Sequence, residues 1–192
     1  MNREPIFNVP GIVLGLTAAF VIIHVVRLWV LTDEQDIDLL LLFAFIPVRY
    51  EGSVAGVFPG GLGAQVWTFV TYAFLHANWP HVGLNILWLL PFGSALARRF
   101  GAVRFFVFMA VTAAAGALAH LVTHEHAIAP MIGASASVSG TMAAAMVPGT
   151  FLARRHTSRA TSIGQSAAVA SCCIVYRRSP GRIARSSASN AT

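Results

Sequence analysis

The sequence predicts an all-α integral membrane protein, a polytopic bundle of spanning helices. Of its 192 residues, 56% are hydrophobic and only 10% charged, with a mean hydropathy of +0.69, whereas a soluble globular domain carries roughly 25% charged residues. Its apolar runs approach the roughly 20 residues that a helix needs to cross a bilayer core, and they lack the alternation of a membrane barrel strand. The net charge of +6 raises nucleic acid as a partner, but its distribution removes it. Residues 1–153 hold six Arg and seven acidic residues, net −1, and residues 154–192 hold seven Arg and no acid, net +7. There is no lysine, and the two cysteines, Cys172 and Cys173, are adjacent, which gives no disulfide framework.

The first span is residues 11–32, GIVLGLTAAFVIIHVVRLWVLT. A signal peptide is the competing reading, but the run is long, has no small-residue cleavage site and is followed by further spans. His24 and Arg27 interrupt it near its far end, and Arg27 is expected to snorkel to the interface. DEQDID, at 33–38, reads as an acidic loop. LLLLFAFIP, at 39–47, is apolar but too short to cross, and is expected as an interfacial or re-entrant helix. A glycine-rich loop without a phosphate-binding pattern follows at 49–65. Residues 66–85 lead into the second span, 81–97, which a basic loop with Arg98, Arg99 and Arg104 closes. The third span, 103–123, ends in His120, His124, Glu125 and His126.

The fourth span carries the most information. In PMIGASASVSGTMAAAMVPG, residues 130–149, Gly133, Ser137, Thr141 and Ala145 recur every four positions, so one side of the helix is narrow enough for neighbouring backbones to approach closely. This is expected to be a central helix. Beyond it, residues 154–192 hold eight serines and seven arginines, and the longest apolar run is too short to span. The tail reads as disordered, either through a frameshift or truncation that replaced two further spans, or as a basic tail for anionic lipid. Arginines at residue 3, in the loop after the second span and at 154–155 alternate with Arg-poor loops, so the positive-inside rule puts the N-terminus in the cytoplasm. A bacterial inner membrane is the expected location.

Ser135, Ser137 and Ser139 lie near the start of the fourth span, with Ser135 expected about five residues, or roughly 8 Å, into the helix and Asn85 at a similar depth. A serine hydroxyl needs a base to take its proton, and donors for the oxyanion it generates, before it becomes a useful nucleophile. His81 and Asn85 are four apart, so they share a helix face and can both be aimed at Ser135. The alternative is that these hydroxyls bond back to their own helix or to a neighbour. A metal site built from His120, His124, Glu125 and His126, with His76, is set aside because the H-E-x-x-H order is absent and an outer-loop cluster is normally solvated. No metal and no cofactor is expected.

These residues resemble the rhomboid intramembrane serine proteases. HANWPHVGLN, with His76, His81 and Asn85, is similar to that family's H-x4-H-x3-N signature, and Trp67 and Thr71 match its lead-in. Gly133, Ala134 and Ser135 are similar to the start of its G-x-S-G motif, with Gly140 in the place of a later family glycine. The resemblance covers residues 11–146. It implies a rhomboid-like fold with a re-entrant first loop, Ser135 as nucleophile, His81 and Asn85 as oxyanion donors, and His76 as a structural residue. It also implies transmembrane protein substrates, cleaved near the outer face of a lipid bilayer.

The chain departs from the pattern twice. Ala136 stands where the motif has its second glycine, which adds a methyl at a tight helix contact. The family's base is a histidine on a sixth spanning helix, whereas four spans are legible here. The one histidine after the fourth, His156, would lie about 31 Å from Ser135 along a continuous helix. The expected organisation is therefore a truncated rhomboid-like membrane domain, 1–153, and an Arg- and Ser-rich tail, 154–192. The expected activity is an intramembrane serine endopeptidase whose base is missing; the alternative is an inactive rhomboid-like protein that binds transmembrane helices.

Overall fold

The computed structural model describes residues 9–54 and 57–147. Helices α1 (Gly11–Trp29), α2 (Asp33–Phe43), α3 (Gly61–Thr71), α4 (Trp79–Trp88), α5 (Ser94–Phe100), α6 (Ala102–Thr123) and α7 (Ser135–Met146) make up the described chain, with short 3-10 turns before and after α3. A π turn, Leu89–Gly93, joins α4 to α5. Pro91 lies in it and has no N–H to give to an α ladder, which is a standard cause of such a bulge. The two helices then form one continuous run, Trp79–Phe100, of 22 residues.

Three helical runs are long and apolar enough to cross a membrane: α1, α4 with α5, and α6. They correspond to the first three expected spans, with ends displaced by up to three residues. The fourth is present as α7, whose described 12 residues make about 18 Å, short of the roughly 30 Å of a hydrocarbon core. The Arg- and Ser-rich tail, with His156, lies outside the described residues.

The acidic loop expected at 33–38 is instead the beginning of α2. Thr32 caps the helix: its hydroxyl accepts the Gln35 N–H, and the Gln35 side chain accepts the Thr32 N–H. Asp33, Glu34 and Asp36 fill the first turn, where the positive end of the helix dipole favours carboxylates. The signal was in the sequence, as Thr-x-x-Gln before an apolar run. Since α2 has 11 residues, it does not cross, as expected of 39–47.

Two apolar clusters hold the bundle. Val13, Leu16 and Phe20 of α1 meet Val82, Leu89, Leu96, Phe105, Met109 and Val138 from the later helices. Under the first loop, Phe45 packs with Tyr72, Ala73, Ala113 and Ala117. The exposed large side chains, including Leu14, Ile22, Val107, Val111, Leu118 and Val122, lie on the spanning helices, where lipid is the solvent.

Helix α7 is the central one. Ser137, Val138, Thr141 and Ala145 are buried, which is the narrow face read from the four-residue repeat with Val138 added. Its main partner is α6. A methyl added to Gly116 of α6 would lie 2.4 Å from the Ala136 Cβ, and one added to Gly140 of α7 would lie 2.7 Å from the Thr112 Cγ2. The two backbones are thus close at two levels, and the methyl of Ala136, read as an addition to a tight contact, fits because α6 presents a glycine opposite it. Ser137 donates to the Met109 carbonyl at 2.7 Å and Tyr72 to the Ala113 carbonyl at 2.9 Å, so polar bonds reinforce the same seam.

Overpacking that seam should be visible. Gly116→Ala is expected to destabilise the protein by about 1–3 kcal/mol, read as a lower unfolding midpoint in detergent. Adding Ala136→Gly should restore most of the loss. Additive effects of the two changes would contradict the contact.

Candidate active site

The site is assembled at the outer end of α6 and α7, from a loop that would otherwise carry unpaired backbone groups. Residues 124–134 are tied down by main-chain bonds. Phe45 and Met131 form an antiparallel bridge, N–H to carbonyl at 3.2 and 2.8 Å, and the Val48 N–H donates to the Ala127 carbonyl at 3.1 Å. The first loop thereby fixes the loop that leads into α7. At the end of it the Gly133 N–H donates to the Tyr72 carbonyl at 3.0 Å.

Gly133 has φ +114°, a conformation that disfavours any residue with a Cβ. Space forbids one as well: a Cβ here would lie 2.5 Å from both Cε1 and Nε2 of His81. The turn delivers the chain to Ala134, and α7 begins at Ser135. Ser135 is therefore the first residue of its helix rather than the fifth. The left-handed glycine ends the extended chain two residues earlier, which apolar periodicity does not report. This places the half-buried Ser135 among the free N–H groups of a helix N-terminus, where developing negative charge is favoured.

His81 is positioned by the start of α4. The Asn78 side chain caps that helix by accepting the His81 N–H at 2.9 Å, and Pro80 occupies the first turn, where its missing N–H is no loss. The His81 ring lies over Gly133, two residues from Ser135, as the shared helix face with Asn85 required. Asn85 is buried, and its amide donates to the His81 carbonyl at 2.9 Å. One of its two N–H groups is thus spent within α4, and one remains for another acceptor.

The other serines have different fates. Ser137 is buried and bonded to α6, as the alternative reading of these hydroxyls expects, and Ser139 is exposed. Among the described residues no side chain is bonded to the Ser135 hydroxyl. Gly140 is away from the chemistry, at the contact with Thr112.

His76 is fully buried, with its ring edge-on to His81 at 5.1 Å and 5.0 Å from the Phe20 ring. Neither ring nitrogen has a hydrogen-bond partner. It supports His81 from behind, in keeping with a structural role. Burial, with the neighbouring His81 a lesser influence, pushes its pKa down to about 3, so it is neutral in the folded protein.

Arg27 does not snorkel. Its side chain is 8% exposed and makes a two-pronged ion pair with Asp36 of α2, at 2.7 and 3.1 Å, while a third N–H donates to the His76 carbonyl at 2.9 Å. A planar guanidinium with donors on more than one side can serve two partners in this way. Its position near a span end suggested snorkelling, because sequence cannot show that α2 folds back to offer a carboxylate. Tyr72 was also passed over. Its carbonyl holds Gly133 while its hydroxyl holds α6, and nothing in its sequence context distinguishes it from other aromatic residues near a span.

Comparison with known proteins adds a family to this geometry. The Rhomboid domain family model matches residues 63–184. Rhomboid-related protein 3 of Homo sapiens is 39% identical over 77 residues, 40% of this chain and 19% of that protein. Rhomboid protease GlpG of Serratia proteamaculans (strain 568) is 39% identical over 49 residues, 26% of this chain and 18% of that protein. The chain spans about a fifth of the length of these curated relatives.

The buried His76 carries a pH consequence. Its folded pKa lies below the usual histidine value of about 6.5, so from there down to about pH 3 the unfolded chain binds a proton that the folded one does not. Stability is therefore present above pH 6.5 and declines as pH falls, by about 1.4 kcal/mol per unit in that window. Unfolding in detergent at pH 7 and pH 5 should show the decline, and His76→Phe should remove about one proton's share of the slope. An unchanged slope would contradict burial of a neutral ring.

Proposed function

Because this chain belongs to the rhomboid family, we propose that it is an intramembrane serine endopeptidase of the rhomboid type, with Ser135 as nucleophile. The observation that carries this reading is the approach of the His81 ring to Gly133, two residues before Ser135 at the start of α7. In the proposed reaction the Ser135 Oγ attacks a peptide carbonyl carbon and its proton passes to a base. The carbonyl oxygen becomes an oxyanion that His81, the second N–H of Asn85 and main-chain N–H groups at the α7 N-terminus stabilise. The C–N bond then breaks, the departing amine takes the proton, and water releases the acyl group from Ser135.

The protein is integral to a membrane, and its proposed substrates are spanning segments of other membrane proteins. The distribution of arginines supports a cytoplasmic N-terminus, which puts Ser135 and the 124–134 loop at the outer face. Helices rather than a barrel suit a bacterial inner membrane. Relatives in Homo sapiens and Serratia show that such chains are not confined to bacteria.

One observation favours a second reading, a rhomboid-like protein that binds transmembrane helices without cleaving them. No side chain among the described residues is bonded to Ser135 Oγ, and Ala136 fills the place of a family glycine. A fluorophosphonate probe separates the two. The protease reading expects labelling of the purified protein that is lost in Ser135→Ala and reduced at least tenfold in Gly133→Ala, whose Cβ would displace His81. Absence of labelling in wild-type protein shown to be folded by circular dichroism would reject the protease and leave the binding protein.

A further inference from the structure

The histidines at the outer end of α6 take no part in the chemistry above. His120 and His124 are one helical turn apart, and their rings lie face to face, with centroids 4.7 Å apart and planes inclined by 19°. Two imidazoles at this spacing share a helix face, the arrangement by which i, i+4 histidines hold a divalent ion.

The hydrogen bonds fix the tautomer of one of them. The Thr123 hydroxyl lies 2.9 Å from the Ala119 carbonyl, 3.3 Å from the His120 carbonyl and 2.8 Å from His124 Nδ1. A hydroxyl has one proton, and carbonyls only accept, so that proton goes to a main-chain carbonyl. Thr123 Oγ1 must then accept from His124, which puts the imidazole proton on Nδ1 and leaves the lone pair on Nε2. This is the outer support that metal-binding histidines ordinarily have, one nitrogen held by a polar partner and the other open for the ion. The site also lies on the last turn of a 22-residue helix, where the negative end of the dipole favours a cation.

Its neighbours do not compete for the role. His126 Nδ1 is 2.7 Å from Glu51 and its Nε2 is 3.3 Å from Glu125, so both of its nitrogens are occupied. No group of three or more His, Cys, Asp or Glu among the described residues is arranged to hold a metal. The ion would therefore take two nitrogens from the protein and complete its shell with water.

We infer that His120 and His124 form a two-histidine chelate for a borderline divalent transition ion, Zn2+ or Cu2+, at the outer mouth of the bundle, with Thr123 as its orienting partner. Zinc–nitrogen bonds of about 2.0–2.1 Å draw the two lone pairs to a common point from rings that already lie one above the other. The α6 turn that carries them leads into the loop that ends at Gly133. Metal bound there stiffens the approach to Ser135, whether or not that serine reacts.

The test uses the full chain in detergent, Zn2+ in titration calorimetry, and Cu2+ with paramagnetic resonance to count nitrogens. One ion per chain with two imidazole nitrogens is expected. His120→Ala and His124→Ala should each weaken binding at least tenfold. Thr123→Val, which removes the hydroxyl at nearly constant volume, should weaken it by about tenfold, at the low end of what orienting partners contribute. His126→Ala should change it less than twofold. Equal binding by the His120→Ala/His124→Ala variant, a single nitrogen in the resonance spectrum, or loss of binding in His126→Ala would each overturn the inference. So would wild-type affinity no greater than that of free imidazole, which would mean an adventitious ion only.

Discussion

The turn at Gly133 is the constraint on which the rest of the site depends. Three elements converge there: the Tyr72 carbonyl before α4 takes its N–H, the His81 ring of α4 covers its Cα, and α7 starts two residues later. Each contact requires the others. Without a left-handed backbone at this residue the N–H would not face Tyr72, and with any side chain the imidazole would be pushed away. A single residue type thus sets the distance between a histidine and a serine 54 positions apart in the chain.

That turn is held in place by how closely α6 and α7 run. Gly116 faces Ala136 and Gly140 faces Thr112, so the helices meet almost backbone to backbone. In lipid there is little hydrophobic drive between helices, and such contacts, with hydrogen bonds like that of Ser137 to Met109, supply the association. The exchange of a glycine at 136 for a glycine at 116 on the facing helix conserves the total volume. A departure from a family motif is therefore answered by the partner helix.

On the other side of the site, an ion pair reaches from α1 to α2 and on to the His76 carbonyl. A guanidinium so nearly enclosed in a spanning helix is costly unless its donors are used, and here three of them are. The result is a continuous physical connection from Asp36 through Arg27 to the turn that carries His76 and His81. The outer helix α2 and the serine loop are parts of one construction, with Phe45 and Met131 bonded between them.

The sequence by itself determined the membrane setting, the all-α class, the order of the first three spans and the pairing of His81 and Asn85 on one face. These follow from composition, run length and period, which are local quantities. It also identified the narrow face of the fourth span, since small residues at every fourth position have few other uses. Only the tertiary structure decided that Ser135 opens its helix, that Arg27 is paired rather than snorkelling, that Tyr72 braces Gly133 and that Gly116 receives Ala136. Each of these depends on a partner between 9 and 61 residues away, brought near by a turn or a fold-back that no local pattern encodes. The capping of α2 by Thr32 and Gln35 belongs to the first group by its physics, for it was local and legible in the sequence. The chemistry of Ser135 belongs to the second, because a nucleophile is defined by what stands next to it.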